Sequence, residues 1–460
     1  ERTMFREYDI RGRAVDGELD TDAVYHIARG FAATLREAGG TEAVVGRDTR
    51  ESSPRLRDAA VRGLTESGVS VIDIGVCTTP MSHWARYHFN VPGLCMITAS
   101  HNPAEWNGMK LGLTREGTLL ATEIAALYER VVREDYVMGT GSVREEEIRE
   151  TYYEDVLSRV TVPKKMKLLI NTGNGTVGPF ATTLFKKAGY EIVEHNTTPD
   201  PSHPNYTPNP DGTAMMGDTG VQAVKHGCHV GVAFDGDGDR LGITDEKGNI
   251  IWPDRYLILL SRHILKKYPG AKIIFDVKVS EALPEDIAAH GGTPIMWTTG
   301  NSYIKAKRIE EGAPLAGEMS GHIFYADGYY GFDDAFYAAL KLLEYLGEED
   351  KPLSELVADT PYYVSTPTIQ VPVDEKKRYE IVQKLTDQFI ADGLRVVTLS
   401  GARVYNEDGW ALVRASANTP TLVLRFESKT EEGLERLKSM MRARLSAFPE
   451  VSSNWDSTGH

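Results

Sequence analysis

Val230-Gly231-Val232-Ala233-Phe234-Asp235-Gly236-Asp237-Gly238-Asp239-Arg240-Leu241-Gly242-Ile243-Thr244 joins two apolar runs through a turn with carboxylates at alternate positions. The runs are short and rich in branched side chains, as buried strands are. Between them, the like charges of Asp235, Asp237 and Asp239 repel unless a cation sits among them, and the glycines let the backbone fold tightly around it. A hard divalent ion such as Mg²⁺ takes oxygen ligands of this kind. The calcium-binding EF-hand loop is the obvious competitor, because the three aspartates match its positions 1, 3 and 5 and Glu246 falls at position 12. Position 6 decides against it: the calcium loop turns on glycine there, and this chain has Arg240. Three carboxylates also leave room for a ligand oxygen from elsewhere, as suits Mg²⁺ beside a phosphate.

Outward from this loop, apolar runs at 43–46, 71–76, 95–98 and 168–171 alternate with helical periodicity between Thr21 and Trp252. That alternation predicts α/β layers. A second series follows, with helices at 255–268 and 334–346 and a strand at 271–277. Beyond Pro361, helical stretches at 375–391 and 431–447 bracket strand-like runs at 395–399, 410–414 and 421–427, the pattern of a separate α+β domain. The Pro/Asn-rich segment 199–211 reads as a loop, and no short-period repeat is visible. The 460 residues, 41% apolar and 25% charged, suffice for two to four domains. No stretch approaches the roughly 20 uninterrupted apolar residues of a membrane span. Residues 1–13 are charged where a signal peptide is apolar, so a cytoplasmic location is expected. Cys77, Cys95 and Cys228 show no paired spacing and are expected to be buried thiols. The net charge of −15, from 51 basic and 66 acidic side chains, opposes a general affinity for nucleic acid. It leaves open a locally positive cleft for a small anion.

Thr98-Ala99-Ser100-His101-Asn102-Pro103 follows the apolar run 94–97, which sets Ser100 on a loop at the C-terminal end of a strand. Open α/β sheets bind ligands at that edge. Alone, the segment reads equally well as a polar turn. Asn107-Gly108-Met109-Lys110 follows closely and can return an ammonium to the same loop. A serine hydroxyl is a poor nucleophile at neutral pH, but a phosphorylated serine is a phosphoryl donor whose charge Mg²⁺ neutralises. Gly173-Asn174-Gly175-Thr176-Val177-Gly178 satisfies the GxGxxG pattern of dinucleotide loops after a strand and before a helix, although tight strand-to-helix packing is the better reading.

With these loops go Phe5-Arg6-Glu7-Tyr8-Asp9-Ile10-Arg11-Gly12, Val45-Gly46-Arg47-Asp48-Thr49-Arg50 and Gly317-Glu318-Met319-Ser320-Gly321-His322. Tyr330-Gly331-Phe332-Asp333-Asp334 and Arg414-Ala415-Ser416-Ala417-Asn418-Thr419-Pro420 complete the series. In this order, over nearly the whole chain, the motifs resemble those of the α-D-phosphohexomutase superfamily, in its bacterial phosphomannomutase/phosphoglucomutase branch. The resemblance implies an α/β fold with four domains around a central cleft. Three are related mixed α/β domains, at 1–146 (phosphoserine), 147–249 (metal) and 250–361 (sugar), and the fourth, 362–460 (phosphate), is α+β. It also implies an isomerase that interconverts hexose 1-phosphate and hexose 6-phosphate through a phosphoserine enzyme and a hexose 1,6-bisphosphate intermediate. That bisphosphate is the implied activator that maintains the phosphoserine. The partners implied are small hexose phosphates, with neither nucleic acid nor membrane, and the chain is expected to act as a monomer.

By the same resemblance, Ser100 carries the phosphate, one of whose oxygens joins Asp235, Asp237 and Asp239 around one Mg²⁺. Lys110 and Arg240 match positions beside the transferring group, and Tyr8, Arg11 and His101 match neighbouring ones. His322 matches a general acid/base, and Glu318 and Ser320 match a loop that reads sugar O3 and O4. Leaving O2 unread admits both glucose and mannose. Lys278 matches a substrate contact, or is a solvated lysine at a strand end. Arg414, Ser416, Asn418 and Thr419 match a clamp for the non-transferring phosphate, where the residues alone read as a strand and a Pro-containing turn. Two positions depart from the pattern: Asn301 stands where relatives often have a substrate-contacting His, and Ala417 where they have Asn or Gly. Three other functions use the same residues or motifs: a phosphoserine hydrolase, an NAD-linked oxidoreductase and a sugar-phosphate binding protein without catalysis.

Overall fold

The structure is a computed structural model and describes residues 2–416 and 419–455; Ala417 and Asn418 of the expected clamp lie outside the described residues. The run that decided the metal loop, Val230–Phe234, is a fully buried strand. It pairs in parallel with Lys167–Asn171, which pairs in parallel with Glu191–His195 on its other side, and antiparallel with Leu241–Thr244. In chain order within this unit, the strands therefore lie side by side as fourth, third, first, second. Strands covered on both faces read as continuous apolar runs, which is why this one was legible.

The same arrangement occurs twice more. Around Glu42–Arg47, the strand Ser70–Val76 lies on one side and Gly93–Ile97 on the other, with Trp106–Gly112 antiparallel beyond it. Around Lys272–Asp276, Thr293–Trp297 lies on one side and Leu315–Gly317 on the other, with Ile323–Tyr325 antiparallel beyond it. In each unit, one connection carries chemistry: the turn from the third strand into the antiparallel fourth. Ser100, the Asp235–Asp239 turn and the Glu318–His322 turn all occupy that place. The repeat is one of topology, so no sequence period announces it.

Ile250–Ile251 pairs with Leu241–Thr244 at the edge of the second sheet, so that sheet runs past the expected division at 249. The fourth unit is an antiparallel sheet in the order Val364–Ser365, Thr421–Ser428, Gly409–Ala415, Ala402–Asn406, Arg395–Val397, with Ile369–Pro372 also pairing Thr421–Ser428. Helices Arg378–Ala391 and Glu431–Leu445 cover its inner face through Leu385, Phe389, Leu437 and Met441. The expected clamp is the turn between Gly409–Ala415 and Thr421–Ser428.

One apolar core runs through the first three units, bringing together Trp84, Met96, Phe234 and Phe336. Backbone hydrogen bonds then bring the loops together: Thr79 N–H donates to Asp237 O at 2.8 Å, and Leu241 N–H to Gly321 O at 3.0 Å. The fourth unit touches the first through the Tyr379 hydroxyl, which donates to Glu7 Oε1 at 3.1 Å. All three cysteines are buried free thiols. Among the described residues, no helix is long and apolar enough to cross a membrane.

Candidate active site

A cavity of about 1040 Å³ opens where the four units meet. Tyr8, Arg11, Ser100, His101, Lys110, Asp239, Arg240, Lys278, Asn301, Glu318, Ser320, His322, Arg414, Ser416 and Thr419 line it. Among the described residues expected from sequence, Asp235 and Asp237 alone are not in its wall, and both are fully buried beside it.

Ser100 has φ +51°, a left-handed conformation that costs a non-glycine residue about 1 kcal/mol or more. The surroundings hold it there. Arg50, buried and paired with Asp48, donates to the carbonyls of Ser100 (2.9 Å), Asn102 (2.7 Å), Pro103 (2.6 Å) and Trp106 (3.1 Å). Arg11 donates to Ala99 O at 3.2 Å and to Asn102 Oδ1 from the other side. Arg50 stands in the Val45–Arg50 motif, but its role is invisible in the sequence because its four acceptors lie about fifty residues further along. Arg50→Met is expected to lower kcat about 100-fold through misplacement of the loop, with lowered stability in urea unfolding.

The Ser100 hydroxyl donates to Asp235 Oδ2 at 2.5 Å. Asp235 Oδ1 accepts from the backbone N–H groups of Gly238, Asp239 and Arg240, at 3.0, 3.1 and 3.1 Å. Lys110 lies opposite Met96 on the strand beside Gly93–Ile97, the strand that leads into the Ser100 loop. Its ammonium reaches Asp237 Oδ2 at 2.7 Å and Asp239 Oδ2 at 2.6 Å. Burial works against both charges, but each holds the other: the Lys110 ammonium is raised above its ordinary range, and Lys110 and the Thr79 hydroxyl hold the Asp237 carboxyl below its own. Burial, Asp239 and Asp237 together push Asp235 well above the usual carboxylate range. One ammonium thus stands against three carboxylates.

The ligand oxygens of the trio lie within 4.8 Å of one another, and the buried Asp237 Oδ1 and Asp239 Oδ1 accept no hydrogen bond among the described residues. Unpaired carboxylate oxygens converging in a buried site fit a hard divalent cation. His101 Nδ1 lies 3.0 Å from the Ser100 hydroxyl, and burial, Arg240 and Arg11 hold this imidazole neutral, well below its ordinary range.

Across the cavity, Glu318 Oε1 accepts from Gly300 N–H at 2.6 Å, and its second oxygen carries no hydrogen bond among the described residues. Gly300 has φ +131°, and a Cβ there would fall 2.5 Å from the Tyr8 ring. Asp276, unmarked in the sequence, ties this end together: it accepts from Met319 N–H and the Thr299 hydroxyl, both at 3.0 Å, and lies 3.5 Å from Lys278 Nζ. Arg425 donates to Lys278 O and to Asp254 at 2.9 Å. Arg403 donates to Val277 O at 2.7 Å and Val279 O at 2.8 Å while packed 3.7 Å from the Trp410 ring centre. At the clamp, the Thr419 hydroxyl donates to Ser416 Oγ at 2.9 Å, and Arg414 reaches the cavity from the preceding strand.

The GxGxxG turn is filled by protein. A Cβ on Gly175 would meet Gly236 Cα at 2.8 Å, and one on Gly178 would meet Thr197 O at 1.7 Å. Thr176 donates its backbone N–H to Gly236 O at 3.0 Å, so the turn buttresses the acidic loop from behind. A pyrophosphate has no room against these backbones.

Positioned hydroxyl, ammonium, guanidinium groups and a cation-ready acid trio, with little covalent chemistry left for the protein, are what phosphoryl transfer requires. The chain matches four phosphoglucomutase/phosphomannomutase domain profiles: α/β/α domain I over residues 2–138, domain II over 150–248, domain III over 252–363 and the C-terminal domain over 369–444. It is 39% identical over 446 residues to the phosphomannomutase/phosphoglucomutase of Pseudomonas aeruginosa, covering 97% of this chain and 96% of that one. With the phosphoglucomutase of Neisseria gonorrhoeae it shares 39% identity over 455 residues, 98% of each chain. A crystal structure of a Burkholderia thailandensis phosphoglucomutase/phosphomannomutase family protein, 39% identical, superimposes with a TM-score of 0.90 over 97% of this chain and 98% of that one. The chain belongs to the phosphoglucomutase/phosphomannomutase family and is an isomerase of the phosphohexomutase type.

Proposed function

We propose that the enzyme interconverts hexose 1-phosphate and hexose 6-phosphate, with mannose and glucose as the sugars, through phosphorylated Ser100. The carrying observation is the contact of Ser100 with the acidic trio, in one cavity with the Arg414 clamp. Asp235, Asp237, Asp239 and an oxygen of the Ser100 phosphate would hold one Mg²⁺, which when bound neutralises charge on the phosphoryl oxygens.

The substrate enters with its phosphate on Arg414, Ser416, Asn418 and Thr419 and its free C1 or C6 hydroxyl toward Ser100. Glu318 and Ser320 bind O3 and O4; Lys278, Tyr8 and Asn301 close round the sugar. The hydroxyl oxygen forms a bond to phosphorus as the bond from phosphorus to Ser100 Oγ breaks, and Lys110, Arg11 and Arg240 stabilise the shifting charge. His322 takes the hydroxyl proton, and His101 hydrogen-bonds the serine oxygen as it leaves. The resulting hexose 1,6-bisphosphate turns end for end and returns its other phosphoryl group to Ser100. The same bisphosphate, added in catalytic amount, restores phosphoserine lost to water. The four domains divide near 146, 251 and 361, and the enzyme works as a cytoplasmic monomer on small sugar phosphates, apart from nucleic acid and membrane.

The test follows glucose 1-phosphate and mannose 1-phosphate by ³¹P NMR with catalytic hexose bisphosphate. The expected result is conversion to the 6-phosphates without inorganic phosphate. Stoichiometric release of inorganic phosphate would make the protein a hydrolase instead. Chelation with EDTA is expected to abolish conversion and Mg²⁺ to restore it, while the melting temperature rises on adding Mg²⁺ to chelated protein. Full activity in EDTA would remove the metal from the scheme.

A further inference from the structure

Behind the cavity wall, four charged or titratable side chains form a line. Lys305 Nζ lies 3.0 Å from Asp333 Oδ1, and each side chain is only 1% exposed. Asp333 Oδ2 lies 3.0 Å from His322 Nδ1, and His322 Nε2 accepts from Arg240 Nε at 3.1 Å. Arg240 and His322 line the cavity, whereas Lys305 and Asp333 do not. His83, Arg86 and Asp239 are the other titratable groups close enough to act on the pair, and Asp239 lies 3.7 Å from His322 Nδ1.

A buried ion pair gains little net stability, because the cost of taking both charges out of water offsets their attraction. Geometry supplies the reason for this one. A neutral imidazole donates from one nitrogen and accepts at the other, while a guanidinium only donates. The Arg240 contact therefore makes Nε2 the acceptor and puts the ring proton on Nδ1, facing Asp333. Lys305 stands one helical turn after Asn301 on the helix Asn301–Glu311, and Asp333 follows a turn at Gly331 with φ +82°. Two elements are thus brought together behind one imidazole.

Given the mutase reading of the cavity, we propose that Asp333 and Lys305 are positioning residues that act through His322. Asp333 stands opposite Nδ1 as a fixed negative charge and, together with Arg240 at Nε2, holds the Nδ1–H tautomer, while Lys305 neutralises Asp333 and holds it in place. Outer partners of a working histidine orient the ring and set its tautomer in the same way.

A double-mutant cycle tests the proposal with glucose 1-phosphate as substrate. Asp333→Asn is expected to lower kcat about 30-fold with KM changed less than about threefold, yet to cost less than about threefold in a His322→Gln background. Equal losses in the two backgrounds, or no loss in the first, would overturn it. Lys305→Met/Asp333→Asn, which removes both charges together, runs the same cycle if Asp333→Asn does not fold. ¹⁵N NMR of histidine-labelled enzyme, with His322 assigned by His322→Gln, reads the tautomer independently of turnover. The wild type is expected to hold the Nδ1–H form and Asp333→Asn to lose that preference; an unchanged tautomer overturns the proposal. Were wild type itself inactive on hexose phosphates, the mutase reading would fall and the tautomer measurement would still decide this one.

Discussion

Ser100→Ala is expected to lose at least about four orders of magnitude in kcat, because in the proposed cycle it removes the atom that carries the phosphoryl group between the two half-reactions. No neighbour can substitute. His101 lies beside the serine but is held neutral among arginines, the Thr98 hydroxyl accepts from Ser100 N–H at 3.0 Å, and the Thr79 hydroxyl is committed to Asp237 at 2.6 Å. The fold should survive, since the hydroxyl bonds only Asp235 and His101 among the described residues and the loop is held by Arg50 and Arg11 through backbone and Asn102 contacts. Incubation with ³²P-labelled hexose bisphosphate should label the wild type and leave the variant unlabelled. Retained conversion in Ser100→Ala would sink the phosphoserine scheme, whatever the labelling showed.

The next largest effect is expected for Lys110→Met, on the order of 10³ in kcat. The side chain keeps its length and loses its charge, so the loss reports electrostatics at the transferring group rather than packing. A second consequence separates this variant from Ser100→Ala. Lys110 offsets two buried carboxylates, and removing one member of such a buried cluster costs about 3–5 kcal/mol. In EDTA, Lys110→Met should melt well below the wild type, and Mg²⁺ should recover more stability for the variant than for the wild type. Equal Mg²⁺ effects on the two proteins would mean that ammonium and cation do not share the trio.

What the sequence made legible was local. Asp235, Asp237 and Asp239 announce their site because one turn carries all three, and the strand Val230–Phe234 announces itself because both faces are buried. The four helices given bounds from sequence lie within about three residues of those bounds, although Pro253 begins one of them earlier than periodicity suggests, since proline suits a first helical turn. Strands with mixed faces were passed over. Ala402–Asn406 carries Arg403 and Tyr405, which look like surface residues until the third unit packs on them. The supporting charges were missed for the same reason: Arg50, Asp276, Lys305 and Asp333 act on partners far along the chain, and nothing near them in sequence says that they are buried. Lys110 was read as returning to the serine loop, and the antiparallel pairing of Gly93–Ile97 with Trp106–Gly112 is the physical means.

The two arginines that grip the Val277–Val279 carbonyls give the cleft unequal sides. Where the fourth unit meets the third, Arg403 and Arg425 are buried and donate to main-chain oxygens, and Glu427 accepts from Glu281 N–H at 2.9 Å. Where it meets the first, an exposed tyrosine touches an acidic side chain through one hydroxyl. Water can replace the Tyr379 bond at almost no cost, but it cannot reach the arginines. The molecule is therefore built like a door, hung on the Lys278 side and latched by Tyr379. Because Arg403 and Arg425 grip the carbonyls on either side of and at Lys278, a swing of the proposed phosphate clamp would also tug on the proposed sugar contact. A bisphosphate that must reverse before its second reaction would find the latch side the one that gives way.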